Sequence, residues 1–338
     1  MTRWPVPRWP VTRWLVPVLL LLLAAASLAS ILAGAVWLTP GEALGAAVAR
    51  RADLAGLIMA EIRLPRLILS LAVGASLGLS GAVLQGLLRN PLAEPGLLGV
   101  TGGAGLGAVI AIYYGFSASF GLATPLFGLA GGFVTAALAL VLARGGGTLA
   151  LILAGVAISA TAGAGVSLAL NLAPNVYAAY EIMSWLMGSL NDRSWDHVQL
   201  ALPFILPGIA LLLLTGPALD ALALGEAQAE SLGIAVARTR LLALTGTAMA
   251  VGASTAIAGM IGFVGLIAPH VVRPLVGHQP GRVLLPAMLA GALLVTLADI
   301  ATRTMVFGGA PLNLGVFISL IGAPFFLWLV LHVRSRTA

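Results

Sequence analysis

The sequence has no cysteine among its 338 residues, which excludes disulfides, thiolate metal sites and a cysteine nucleophile. It has no lysine either, so all 17 basic residues are arginine. A phosphate-binding P-loop needs a lysine that reaches the nucleotide phosphates, and this chain therefore cannot hold ATP in such a loop. If ATP drives the protein, a separate chain must hydrolyse it, and we predict no catalytic residues here.

Charge is scarce as well. Only 8% of the residues are charged and 60% are hydrophobic, whereas about 25% are charged in ordinary soluble domains. A chain of this composition uses lipid as its solvent, and in lipid every backbone polar group needs an internal partner. The apolar runs are continuous rather than alternating, which favours helices over a barrel. The sequence thus predicts an all-α polytopic membrane protein.

Apolar runs that can cross a hydrocarbon core of roughly 30 Å recur along the chain. We predict about ten transmembrane helices, near residues 15–38, 63–88, 96–114, 121–143, 149–172, 197–217, 239–259, 261–277, 283–303 and 313–333. The run Leu15–Leu38 is too long for the hydrophobic region of a signal peptide, so we interpret it as the first span. Residues 1–338 form one membrane domain, with 1–14 as a cytoplasmic lead and 220–240 as a cytoplasmic polar segment.

Arginine placement predicts the orientation. With the N-terminus inside, most arginines fall in inner segments, which puts both termini in the cytoplasm. Arg63, Arg66 and Arg303 are exceptions, because they stand at the outer ends of spans. The sequence Ala72–Ser76 in the second span recurs as Ala250–Ser254 in the seventh, where the chain runs in the opposite direction. This predicts an inverted internal repeat.

The glycine-rich sequence GGAGLG at 102–107 is a weak nucleotide motif. Close helix packing through Gly99, Gly103 and Gly107 explains it better, because small residues spaced by four let helices approach each other. His270 and His278 stand near the inner ends of spans, and no two or three ligands are clustered at metal spacing. We therefore interpret them as structural residues and predict no metal site.

Three stretches match one family, and the matches are spread over most of the length of residues 60–335. They are Arg63–Gly107, Gly262–Arg273 and Leu320–Leu329. These stretches resemble the FecCD-type permeases, the membrane subunits of type II ABC importers for vitamin B12, haem and iron–siderophores. The resemblance implies a permease that moves a large metal chelate from the periplasm to the cytoplasm through the bacterial inner membrane. The loop form Pro-Leu-Ala-Glu-Pro-Gly at 91–96 is closer to the vitamin B12 and haem branches.

The same resemblance implies the partners. A second copy of this chain would complete a homodimer, two ATP-binding ABC subunits would dock inside, and a periplasmic binding protein would deliver cargo outside. ATP and Mg would be held by the ATP-binding subunits, so this chain would bind no cofactor itself. Membrane lipid would surround the dimer, and nothing in the sequence indicates nucleic acid as a partner.

Site residues also follow from the resemblance. A cytoplasmic gate is implied at Asn90, Pro91 and Leu92, although a proline-bounded turn with Asn90 as a helix cap explains the same residues. The ATPase-coupling motif matches Leu224, Gly225, Glu226, Ala229, Leu232 and Gly233, in a segment expected to form one or two short helices. Docking of the binding protein is implied at Arg63, Arg66 and Arg303.

The fifth span concentrates polar side chains at Ser159, Thr161, Ser167 and Asn171. Such residues hold helices together in hydrocarbon, while the family resemblance implies that they line the pathway, and both interpretations stay open. Asp299 and Arg303 are one turn apart and face each other; a local ion pair and direct substrate contact both fit. The alternative function is an ion-coupled secondary transporter, which would need buried acids such as Asp299 or Glu181.

Overall fold

The computed structural model describes residues 10–34, 37–41, 45, 54–143, 146–307 and 310–337. The predicted lead is therefore described only from its tenth residue onward. The described residues are almost entirely helical. The helices are α1 (Pro10–Leu32), α2 (Leu54–Leu87), α3 (Val100–Tyr113), α4 (Phe116–Ser119), α5 (Ala123–Leu142), α6 (Gly147–Asn171), α7 (Val176–Leu186), α8 (Trp195–Leu213), α9 (Gly216–Leu222), α10 (Glu226–Ser231), α11 (Val236–Ala258), α12 (Val264–Val272), α13 (Pro280–Thr304) and α14 (Leu314–Thr337).

Shorter elements complete the chain. Helix α2 contains a π-helical turn at Ile58–Arg63. Single 3₁₀ turns precede α3 at Pro95–Leu98 and follow α12 at Arg273–Val276. Two antiparallel two-residue strands, β1 (Val306–Phe307) and β2 (Ala310–Pro311), join α13 to α14.

The ten predicted spans all coincide with helices, which confirms an all-α polytopic membrane protein. Within the described residues, 7 helices are long and apolar enough to cross a membrane, and three shorter apolar helices accompany them. The second span was predicted too short, because its helix begins at Leu54 rather than near Arg63. The sequence analysis also missed α7, an 11-residue helix that starts where the Asn175 side chain accepts a hydrogen bond from the Ala178 N–H.

Burial separates central from peripheral helices. The most apolar windows of α2 and α11 are each 78% buried, against 22% for α1 and 28% for both α6 and α8. The repeated sequences Ala72–Ser76 and Ala250–Ser254 therefore lie in the two central helices. The outward faces of α1, α6 and α8 are left for lipid or for another protein chain.

Glycine sets the distance between the central helices. Helices α2 and α13 pack antiparallel, with Gly74 against Gly291 and Gly78 against Ala287, so closely that an added Cβ would overlap the facing backbone. The predicted glycine packing in α3 is confirmed, because Gly103 and Gly107 meet Gly131 and Phe127 of α5 in the same way. Lipid tails supply no hydrophobic drive for helix association, so close van der Waals packing of this kind holds the bundle together.

Candidate functional site

A cavity of about 400 Å³ opens where two helices are interrupted. Its walls come from the 3₁₀ turn before α3, from the irregular residues between α11 and α12, and from α2, α3, α6 and α7. The lining residues are Leu77, Glu94, Pro95, Gly96, Thr101, Gly102, Gly105, Ser159, Gly163, Val166, Leu186, Met260, Ile261, Gly262, Phe263 and Gly265. Non-helical backbone at membrane depth is tolerated only inside protein or beside a water-filled space.

Among the predicted pathway residues, Ser159 lies in this cavity. Its hydroxyl donates a hydrogen bond of 3.1 Å to the Gly96 carbonyl and so ties the middle of α6 to the turn before α3. Thr161, Ser167 and Asn171 lie on α6 outside the cavity wall, and the Thr161 hydroxyl bonds back to the Ala157 carbonyl of its own helix. The role of these three as pathway residues stays a prediction.

The predicted gate residues form the start of the loop that leads to the cavity. The Asn90 side chain accepts a hydrogen bond of 2.9 Å from the Leu92 N–H, so it closes a turn within the loop rather than capping a helix. Pro91 and Leu92 are exposed. The chain then becomes buried at Ala93 and reaches the cavity at Glu94.

The coupling segment folds into two short helices, α9 and α10, as the sequence predicted. Its apolar residues divide between two directions: Ala229 is buried, whereas Leu224 and Leu232 are 65% and 63% exposed. Gly225 and Gly233 have positive φ angles of 117° and 83°, a conformation in which glycine avoids the steric cost of a side chain. The exposed leucines are thus available to a partner protein.

Glu226 of this motif points back toward the membrane domain. Its Oε1 accepts hydrogen bonds of 2.9 Å from Thr148 Oγ1 at the start of α6 and 2.7 Å from Arg240 Nη2 in α11. The bond from Thr148, followed by the charges of Arg240 and Arg89, holds the pKa of the Glu226 carboxyl below its usual 4.5. The coupling segment is therefore fastened to two transmembrane helices by one ionised carboxylate.

Two further contacts tie this region to its surroundings. Asp220 in α9 accepts 2.7 Å hydrogen bonds from the Gln279 side chain and from the Gly281 N–H, and so caps the start of α13. A side chain at Gly225 would begin 3.9 Å from Nη1 of Arg89, the residue before the gate loop. The coupling segment thus borders the gate loop at the loop's beginning.

At the opposite ends of the helices, two of the three predicted docking arginines, Arg66 and Arg303, pair with Asp299, which is fully buried. Arg66 Nη2 lies 2.8 Å from one carboxylate oxygen and Arg303 Nη2 lies 3.1 Å from the other. Arg303 also donates to the Ser30 hydroxyl at 2.7 Å, and Arg63 donates to the Ile31 and Leu32 carbonyls at the end of α1. Two arginines share this one carboxylate, so the group formed by Asp299, Arg66 and Arg303 has a net positive charge.

The predicted pair of Asp299 and Arg303 is therefore confirmed, but the sequence analysis missed that Arg66 shares the same carboxylate. The arginines are only slightly exposed: the side chains of Arg66 and Arg303 are 12% and 10% accessible. The docking role of the three arginines stays a prediction. The structure shows that contacts within the chain already hold their side chains in place.

Comparison with known proteins gives the family. The FecCD transport family matches residues 21–332. The chain belongs to this family.

Individual relatives agree with the assignment. The vitamin B12 import system permease protein BtuC of Klebsiella pneumoniae is 40% identical over 320 residues, which are 94% of this chain and 93% of that protein. BtuC of Salmonella typhimurium is 40% identical over 313 residues, 92% of this chain and 93% of the relative.

A solved structure of a metal-chelate type ABC transporter in an inward-facing conformation superimposes with a TM-score of 0.82 at 34% identity. The superimposed region covers 94% of this chain and 98% of the chain in that structure. The chain is thus a FecCD-family permease subunit of a type II ABC importer, a multi-pass membrane protein whose part in the system is transport.

Several functional contacts of this FecCD permease could not be found from the sequence. Thr148 and Arg240 have no motif of their own, and only the fold brings them to Glu226. Glu94 did carry a signal, because an acid between Ala93 and Pro95 interrupts a glycine-rich apolar region. His270 packs edge-on against Phe325 with ring centroids 5.6 Å apart, in keeping with a structural role.

Proposed function

We propose that two copies of this chain form the membrane pathway of a bacterial inner-membrane importer for vitamin B12. Two separate ATP-binding subunits would dock at the coupling segments, and a periplasmic binding protein would dock at the arginine clusters around Asp299. Both termini of each copy would lie in the cytoplasm. The choice of vitamin B12 among large metal chelates rests on the 40% identical BtuC permeases.

One observation carries the mechanism: a single loop connects the coupling segment to the cavity. Its first residues follow Arg89, which lies beside Gly225, and its last residues are Glu94 and Gly96 in the cavity wall. Movement of the coupling segment would therefore displace the gate residues Asn90–Leu92 and change access to the cavity. Closure of the ATPase pair would supply that movement.

The size of the cavity supports a dimer. A volume of about 400 Å³ is near the lower end of the roughly 300–1,000 Å³ that small-ligand pockets occupy, and a corrinoid is larger than a typical small ligand. A second copy would supply the other half of the pathway. The exposed apolar face of α6, which continues from the cavity wall, fits this arrangement.

The contacts of Asp299 and Glu181, the two acids named for the ion-coupled alternative, do not support it. Asp299 is held by two arginines, so it is not available to bind and release H⁺ or Na⁺ in a transport cycle. Glu181 is exposed on α7. Neither acid has the surroundings of a coupling-ion site buried in the membrane centre.

Reconstitution tests the proposal. The dimer, assembled with its ATP-binding subunits in proteoliposomes, is given its binding protein with cyanocobalamin, haem or ferric siderophores. We expect cyanocobalamin to stimulate ATP turnover and to accumulate inside. Uptake that needs no ATP and is abolished by an ionophore would favour the secondary transporter, and stimulation by haem or a siderophore alone would reassign the cargo.

A further inference from the structure

Glu94 is an acid in a cavity that otherwise lacks charge. The remaining lining residues of this cavity are apolar, glycine or hydroxyl-bearing, and none of them is ionisable. None of the ion pairs formed by the described residues includes Glu94. Its carboxyl group is therefore not paired with a neighbouring arginine, in contrast to that of Asp299.

The position of Glu94 is deep in the helix bundle. Two residues after it, the Gly96 carbonyl is bonded to Ser159, which stands near the middle of the 25-residue helix α6. A side chain at Gly96 would begin 3.6 Å from Glu94 Oε1. The Glu94 carboxyl group thus lies close to the part of the cavity wall that Ser159 forms, at the depth of the middle of α6.

A local structural role explains part of this placement. The Phe263 backbone N–H, at the start of α12, hydrogen-bonds to the Glu94 carboxyl. Phe263 has a φ angle of 64°, a conformation that is uncommon for a bulky residue. A neutral glutamine would make the same hydrogen bond, however, so this contact does not by itself require a charge. An ionisable group within a membrane domain is by default a functional group.

We propose that Glu94 is a charge-selecting residue of the transport pathway. Its carboxylate makes the cavity favourable for cations and for amide N–H donors and unfavourable for anions. The cargo selected at this point is a neutral or cationic, amide-rich chelate, whereas polyanionic ferric chelates are disfavoured. This inference rests on the proposed importer function and assigns to one residue the discrimination among chelates by charge.

The absence of cysteine allows a test that needs no cargo. Ser159→Cys places a single thiol in the cavity wall of the full-length permease, and its labelling rate is measured in detergent with a cationic and an anionic methanethiosulfonate reagent. Charged, low-dielectric clefts change local ion concentrations by about tenfold or more. We therefore expect the ratio of cationic to anionic rates to fall about tenfold when Glu94→Gln is added.

Ser231→Cys supplies the matched control, because Ser231 is exposed on α10 outside the cavity. Its rate ratio should be the same with Glu94 and with Glu94→Gln. If Glu94→Gln leaves the ratio of cationic to anionic labelling rates of Ser159→Cys unchanged, the proposal is overturned. A thiol at that position that reacts with neither reagent would also overturn it, because the cavity would then be closed to hydrated ions. Gel filtration of each variant checks that the permease is folded.

A transport measurement connects this charge to the cargo. Cyanocobalamin and its monocarboxylate derivative, in which one amide is hydrolysed to an acid, differ by one charge at nearly the same size. With equal amounts captured by the binding protein, the wild-type permease should import the monocarboxylate several-fold more slowly, and Glu94→Gln should remove the difference. Equal import by the wild type would overturn the proposal. If neither compound is imported, the cargo assignment fails while the labelling ratio still decides the role of Glu94.

Discussion

The Glu226 carboxylate and the Arg240 guanidinium form an ion pair in which Oε1 and Nη2 are 2.7 Å apart. The two side chains are 35% and 23% accessible. A pair with this exposure contributes only about 0–1 kcal/mol to stability. The ion pair matters mainly for position, because it fixes the coupling segment relative to α6 and α11.

Charge reversal at Glu226 should separate ATP hydrolysis from transport. Glu226→Arg places a third cation beside Arg240 and Arg89 and removes the acceptor of Thr148. We expect assembly with the ATP-binding subunits to persist while import per ATP hydrolysed falls about tenfold, within the usual range of coupling free energies. Import and ATP turnover are measured in the same proteoliposomes.

The matched control is Glu230→Arg, which makes the same charge change one turn away on the exposed side of α10. It should leave the ratio of import to ATP hydrolysed near that of the wild type. Because the pKa of Glu226 is held below 4.5, its anchoring bonds should persist as the pH falls from neutral toward that value. They should be lost only as the pH drops through the lowered pKa. Equal import ratios in both variants would show that Glu226 does not transmit movement.

Asp299→Asn should destabilise the permease strongly. The substitution leaves Arg66 and Arg303 close together, largely buried and without their carboxylate, and breaking one partner of a buried pair costs about 3–5 kcal/mol. Thermal unfolding of the purified permease in detergent measures the effect. Asp192→Asn, at an exposed turn residue with a φ of 57° that asparagine tolerates, is the matched control and should change little. Similar melting temperatures for both variants would contradict a buried ion-pair cluster.

Gly291→Ala should disrupt the packing of α2 on α13. The added methyl group meets the Gly74 carbonyl and the Gly78 backbone, and overpacking of this kind costs about 1–3 kcal/mol. Gly163→Ala adds the same group where nothing lies within 4 Å and should be neutral. Yield and melting temperature of the two variants are compared. Equal yields and melting temperatures would mean that α2 and α13 can move apart to accommodate the methyl group without a loss of stability.

Arg63→Gln should slow docking of the periplasmic binding protein. The variant removes one charge from the outer cluster but leaves the Asp299 carboxylate paired with Arg66 and Arg303. Arg63 is buried, so its charge would act on the partner through the field that it adds at this end of the molecule, and such a field affects the association rate and its salt dependence. We expect an association rate about three- to tenfold lower at low salt, measured by capture of the permease in lipid nanodiscs.

The control for this measurement is Arg89→Gln, which removes the same charge at the inner side. It should dock at the wild-type rate. If Arg63→Gln docks as fast as wild type at low ionic strength, Arg63 has only a structural role, which is to bind the carbonyl groups at the end of α1. Ion-pair loss within the membrane domain is excluded by comparing the melting temperatures of the two variants.

Hydropathy alone predicted the spans because lipid imposes one requirement on every residue of a spanning helix. It could not predict the short helix α7, whose 11 residues are too few to cross the hydrocarbon core, or the early start of α2 through a π-helical turn. Local spacing predicted the Asp299–Arg303 pair, since those residues are one turn apart. Arg66 was not assigned to the same carboxylate because only the packing of α2 on α13 brings it there.

The predicted sites show the same division. The coupling motif was found as a run of residues, but the sequence did not indicate that Glu226 faces inward while Leu224 and Leu232 face outward. Ser159 was included among the pathway residues, yet its neighbour Glu94 was not, because membership of a cavity depends on two distant breaks in the helices meeting in space. Such juxtapositions carry no periodicity that a single sequence can reveal.

The nine-residue length of α12 has a consequence for biosynthesis. At 1.5 Å per residue the helix extends about 14 Å, less than half of the roughly 30 Å hydrocarbon core. It cannot partition from the translocon into the bilayer as an independent segment. The ribosome must therefore extend the chain into α13 before α12 can be retained in the membrane, and a nascent chain that stops at Val276 should remain accessible to proteases on the side of the membrane where α11 ends.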